Sequence, residues 1–115
     1  MFRFEDLNIW KRAVELTNRL LDLSDDLQKR HQYRFADQLR GSALSISNNI
    51  AEGSGSSSRK DFRQFLNYSR RSVFETANMT IIARRRNYID GAEKESLIQE
   101  LEEISKMLIG FSRSL

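Results

Sequence analysis

The sequence has no cysteine and no proline, and only one histidine, one tryptophan and five glycines. Without cysteine there can be no disulfide, no thiolate metal ligand and no thiol redox chemistry. The lone imidazole, His31, has no carboxylate at i+3 and cannot assemble the converging ligands of the zinc or di-iron sites that bundles house, so neither a metal nor a cofactor is expected. No apolar run approaches the ~18 residues of a membrane span, and Met1-Phe2-Arg3-Phe4-Glu5-Asp6 lacks the apolar stretch of a secretory signal. The expected address is the cytoplasm, with no membrane partner. Lack of proline also removes the strongest helix breaker, so helices have few places where they must stop.

What is present is apolar periodicity at three-four spacing from end to end. The 115 residues make one domain, 1–115, large enough to bury a core without staples. Leu7, Trp10, Val14, Thr17 and Leu21, widened by Ala13 and Leu20, predict a first helix over 6–29 with Asp6 as its cap. The polar stretch from Asp25 to Gln32 supplies the first turn. Phe35, Leu39, Ser42, Ile46 and Asn49, flanked by Ala43 and Ile50, predict a second helix over 34–52. Its two polar seam positions, Ser42 and Asn49, need hydrogen-bond partners if buried, because an unmatched buried polar group costs about 1–3 kcal/mol. Gly53 reads as the glycine that ends this helix, and a Gly-Ser loop follows.

Ser58 with Asp61 resembles a capping box, and Phe62, Leu66, Ser69, Val73, Thr76, Thr80 and Ala83 then predict the longest helix, over 59–86. Asp90 with Glu93 starts a fourth, over 91–115, carried by Leu97, Leu101, Ile104, Leu108, Phe111 and Leu115. Four such helices joined by short loops predict an all-α, antiparallel up-down-up-down four-helix bundle. The loop and the capping signals divide the chain into hairpins and argue against an extended coiled coil.

Charge is unevenly placed. The chain has 19 Lys and Arg against 16 Asp and Glu, and residues 57–90 hold eight of the basic groups: Arg59, Lys60, Arg63, Arg70, Arg71, Arg84, Arg85 and Arg86. Arg59, Arg63, Arg70 and Arg84 share a helix face by spacing, so a basic stripe is geometrically available for the phosphates of RNA or DNA. The same side chains have a second destination, the acidic fourth helix with Glu93, Glu95, Glu100, Glu102 and Glu103.

Catalytic constellations are missing. The serines of 53–58 have no base nearby, and the loop lacks phosphate-loop spacing with no strand before it. The Arg-to-His pairing of helical RNA-cleaving domains is also lacking, because positions 25–27 before the only His are Asp, Asp and Leu. Glu52 and Glu75 would need a second carboxylate across a cleft to catalyse, whereas as structural groups they need only a partner such as Arg40. No enzyme is expected.

The run Gln38-Leu39-Arg40 through Ser45-Ile46-Ser47-Asn48-Asn49-Ile50-Ala51-Glu52-Gly53 resembles the signature of the four-helix-bundle proteins encoded in intervening sequences of bacterial 23S ribosomal RNA genes. Phe4–Ala13, Asp61–Leu66, Ser72–Glu75, Ile82-Ala83 and Tyr88-Ile89 are similar to that family elsewhere, so the resemblance covers nearly the whole chain. It extends to the accessory variability determinant of diversity-generating retroelements, a basic bundle that forms a homopentamer and binds nucleic acid and a reverse transcriptase. The resemblance implies a homo-oligomer, a pentamer, with RNA, DNA or a nucleic-acid-bound protein such as a reverse transcriptase as partner. It supplies no catalytic residues, and it implies that Asn49, Glu52 and Glu75 hold helices two and three together through buried hydrogen bonds. The chain departs from the family pattern at Ser47, where many members have Pro, at Arg71, where Gly is common, and at Arg86-Asn87, in place of Leu-Gly.

The sequence therefore predicts a non-enzymatic, self-assembling bundle that contacts nucleic acid through the eight basic residues of helix three. The alternative is a scaffold that binds protein only. Phe2, Phe4, Phe65, Phe74, Met79 and Ile82 lie off the main seams and are the expected surplus apolar surface for assembly.

Overall fold

The computed structural model describes residues 1–115. A 3₁₀ turn at Arg3–Asp6 leads into α1 (Asn8–Lys29), α2 (Tyr33–Ser54), α3 (Arg59–Arg85) and α4 (Gly91–Ser114), with no strand. Short connections return each helix along its predecessor, and α4 closes back onto α1, giving the antiparallel four-helix bundle. The long axis measures 43 Å, and the 27 residues of α3 account for about 40 Å of it at the helical rise.

The helix starts at Ser58 and Asp90 are as the sequence predicts. Ser58 Oγ accepts from the Asp61 N–H at 3.0 Å, and Asp90 Oδ1 from that of Glu93 at 2.8 Å. Asp6 is not a cap, because an extended Leu7 separates it from α1 and Asp6 closes the 3₁₀ turn instead. α1 and α3 end alike. Gln32 N–H reaches back to the Leu27 carbonyl at 2.9 Å and Tyr88 N–H to that of Ala83 at 2.8 Å. These bonds turn the chain through one left-handed residue each, His31 (φ 65°) and Asn87 (φ 60°). His31 is thus a turn residue. Asn87 occupies the position where the family pattern has Gly, and asparagine tolerates that conformation better than most residues.

All seven apolar-stripe positions predicted for α3 are buried, as are Leu97, Leu101, Ile104 and Leu108 of α4. In α1 the stripe is rotated from the predicted one. Ile9, Ala13, Leu16, Thr17, Leu20, Ser24 and Leu27 are buried, while Trp10, Val14 and Leu21 sit at the margin. Trp10 packs edge-on against Phe4, with ring centroids 5.0 Å apart, and so belongs to an aromatic cluster at the chain's start rather than to the central seam.

α2 and α3 share the most extensive helix–helix contact, and small side chains line it. Ser69 Oγ donates to the Ile46 carbonyl at 2.7 Å, Ser72 Oγ to Ser45 Oγ at 2.8 Å, and Thr76 Oγ1 lies 3.0 Å from Ser42 Oγ. Every buried side-chain polar atom has a partner. Gly53 does not end α2; it lies within the helix, buried, and Gly55 is the cap. A Cβ there would meet Phe65 Cβ at 2.7 Å and Phe62 Cδ1 at 2.9 Å, so its lack of a side chain lets Phe62 and Phe65 lie flush on α2. Met79, expected on the surface, is buried with Ser42 Oγ 3.9 Å from its sulfur, and Phe65 is half-buried.

Candidate nucleic-acid interface

At about 100° per residue, Arg59, Lys60, Arg63, Arg70, Arg71, Arg84 and Arg85 fall within roughly 140° of the circumference of α3, beside the buried stripe, with only Arg86 outside. The two carboxylates of α3, Asp61 and Glu75, lie outside that arc as well. Arg70 is half-buried and the other seven basic residues are exposed.

None of the eight makes a salt bridge. The ion pairs of the chain join Arg12 to Glu100 and Glu103, Arg19 to Glu93, Arg30 to Asp26, Arg40 to Asp25 and Asp37, and Lys94 to Glu95. Three of the five acidic groups of α4, Glu93, Glu100 and Glu103, therefore turn to α1, while Glu95 pairs with Lys94 on its own helix. Arg12 hydrogen-bonds Glu100, and Arg19 lies 3.9 Å from Glu93 while donating to Ser96 Oγ at 2.8 Å. The paired-face reading of the α3 arginines with acidic α4 is not what forms.

Three of the eight have partners other than Asp or Glu side chains. Arg63 Nε donates to the Ser112 carbonyl at 3.3 Å and its Nη2 to the main-chain oxygen of Leu115, where α4 ends and its dipole favours a cation. Arg70 Nε donates to Ser105 Oγ at 3.3 Å, and its guanidinium sits 5.0 Å from the ring centroid of Phe74. Arg84 donates to Asn87 Oδ1 at 3.3 Å. Arg59, Lys60, Arg71, Arg85 and Arg86 have no side-chain hydrogen bond or ion pair.

Between α3 and α4 the basic side chains frame a cleft of about 210 Å³, lined by Arg63, Leu66, Asn67, Arg70, Leu108, Ile109, Ser112 and Arg113. No carboxylate lines it. Arg113 was not among the predicted contacts; the signal was its place in the last turn of α4, which an antiparallel hairpin sets beside the first third of α3. Beyond the cleft lies an apolar groove with Val73, Phe74, Ala77, Ile81, Ile98 and Leu101, bordered by Glu102.

The signature residues of α2 are arranged differently from the expectation. Ser45, Asn49, Ser72, Arg71, Tyr68 and Glu75 line a shallow polar depression over the α2–α3 contact. Asn49 is half-buried and its Nδ2 donates to the carbonyl and hydroxyl of Ser45 at 2.8 and 2.9 Å, within its own helix. The bridge to α3 is made by Ser45 with Ser72. Glu52 and Glu75 are exposed and form no ion pair, so neither ties the helices together. Arg40 pairs with Asp25, Asp37 and Gln28, on the α1 side of α2 and away from both glutamates. No three His, Asp or Glu side chains converge as a metal cage, and no helix is long and apolar enough to cross a membrane.

The sequence model described as "23S rRNA-intervening sequence protein" matches residues 5–110. No curated protein matches the chain. Among solved structures, a protein of unknown function from the S23 ribosomal protein family of Bacteroides thetaiotaomicron superposes with a TM-score of 0.86 at 28% identity, over 90% of this chain and 97% of that one.

Proposed function

The chain belongs to the 23S rRNA-intervening sequence protein family, and from that premise we propose that it is a non-catalytic bundle that self-assembles and binds nucleic acid through the basic face of α3. The observation that carries this reading is the absence of an Asp or Glu partner for any of these eight basic side chains. Like charges four residues apart destabilise a helix, and no Asp or Glu side chain offsets Arg59 beside Arg63. An external polyanion does, with release of its condensed counterions. Guanidinium groups also match the geometry of phosphate oxygens.

Self-assembly rests on a separate observation. Phe2, Tyr33, Leu44 and Ile82 are large, apolar or aromatic, and exposed on a chain whose core is already complete. A second copy of the chain is the occupant proposed for these side chains, and five is the copy number that the family resemblance implies. Sedimentation velocity at two concentrations measures it.

The binding test is fluorescence anisotropy of labelled single- and double-stranded RNA and DNA, at about 50 and 200 mM salt, where a multi-phosphate contact changes by orders of magnitude. Binding with a steep salt slope is expected, and the double reversal Arg71→Glu with Arg85→Glu is expected to weaken it at least tenfold. No binding at low salt, or unchanged affinity in the double variant, refutes the reading and leaves a scaffold that binds protein only.

A further inference from the structure

Resting on the nucleic-acid reading, we infer that the bound strand is single-stranded, with a phosphate seated in the α3–α4 cleft and a base stacked on Phe74. The cleft is built by two helices. Arg63 and Arg70 come from α3 and Arg113 from the last turn of α4, and Asn67 and Ser112 add neutral polar groups between them. Three cations around about 210 Å³ with no carboxylate on the lining suit one or two phosphate groups rather than a large ligand.

Phe74 lies one turn beyond Arg70, about 6 Å along α3. Phe74 is 60% exposed, the highest value of any large apolar residue beyond the first two of the chain. The Arg70 guanidinium rests at 5.0 Å from the ring centroid, so the same arginine that lines the cleft also orders the ring. A basic groove followed by an exposed aromatic is the arrangement that holds unpaired strands, because every unpaired base has a face to stack while the backbone follows the cations. A duplex keeps its base faces inside its own stack and leaves Phe74 without a partner.

The test compares a single strand with its own duplex, as RNA and as DNA, on the full-length chain at about 50 mM salt. The single strand is expected to bind at least tenfold more tightly than the duplex. Phe74→Leu, which keeps an apolar side chain and removes the ring, is expected to lose about tenfold on single strands and little on duplex, and Phe74→Trp to restore binding. Arg113→Gln is expected to weaken binding and to lower the slope of log affinity against log salt by about one. Circular dichroism and sedimentation of each variant confirm unchanged fold and assembly. Duplex bound as tightly as single strand, or single-strand affinity unchanged in Phe74→Leu or Arg113→Gln, overturns the inference while leaving the α3 basic face as the binding surface. No binding of any oligonucleotide overturns both.

Discussion

Gly53 and Gly41 lie on the same helix and provide opposite predictions from one substitution. Both have helical backbone angles, and replacing either with alanine removes about 1 kcal/mol of glycine's unfavourable helix propensity. At Gly41 no atom lies within 4 Å of the new Cβ, so the propensity gain is undiluted and Gly41→Ala is expected to stabilise by about 0.5–1 kcal/mol. At Gly53 the methyl would lie 2.7 Å from Phe65 Cβ. That atom is fixed to the α3 backbone and cannot rotate away. Reaching an ordinary carbon–carbon separation of ~3.5 Å requires α2 and α3 to part by roughly 0.8 Å at that end. Overpacking of this kind costs about 1–3 kcal/mol, so Gly53→Ala is expected to fall by that amount below Gly41→Ala. Urea denaturation followed by circular dichroism reads the difference, at equal protein concentration so that the proposed self-association contributes equally to both. In thermal melts each kcal/mol corresponds to about 4 °C for a domain of this size. If Gly53→Ala is stabilised as much as Gly41→Ala, the close approach of the two helices is not what glycine serves there.

Two further outcomes follow from the turns and the charges. Asn87→Gly and His31→Gly each replace a side chain held at positive φ by one without the Cβ conflict, and each is expected to stabilise by about 0.5–1 kcal/mol, measured as a shift in the denaturation midpoint. A double-mutant cycle of Arg12→Gln with Glu100→Gln is expected to give a coupling below about 1 kcal/mol at low salt, falling toward zero at high salt, because both side chains are partly exposed. A coupling of several kcal/mol would show that this pair carries the α1–α4 contact.

The fold was legible because helix signals here are local. Ser58 and Asp90 cap as their spacing predicts, and the stripe from Phe62 to Ala83 is buried in full. In the first helix, spacing alone places Trp10 on the apolar stripe and so displaces the stripe from the buried one. In three dimensions Phe4 is within reach of Trp10, and the 3₁₀ turn that brings it there has no periodicity to read. Gly53 looked like a terminator because propensity alone assigns glycine that role; its real function depends on two phenylalanines nine and twelve residues later in the chain. For the candidate interface, the concentration of charge on α3 is visible in the sequence, whereas the destination of the α4 carboxylates depends on which helix packs beside them. The clue existed. Arg12 and Arg19 are seven residues apart, as are Glu93 and Glu100, and antiparallel packing matches the two pairs in reverse order. The cleft with Arg113 required knowing which turn of α4 faces which turn of α3.

The pairing of α4's carboxylates with α1 also fixes how the molecule meets its surroundings before it touches anything. Opposite charges cancel in these α1–α4 pairs, while the arc of α3 keeps its positive charge, so the bundle presents one strongly positive side. In the field of a polyanion such a body turns before it collides, and arrives with α3 foremost. Encounter is thereby biased toward one orientation at separations comparable with the Debye length, about 10 Å in 0.1 M salt, and added salt slows arrival before it loosens any contact.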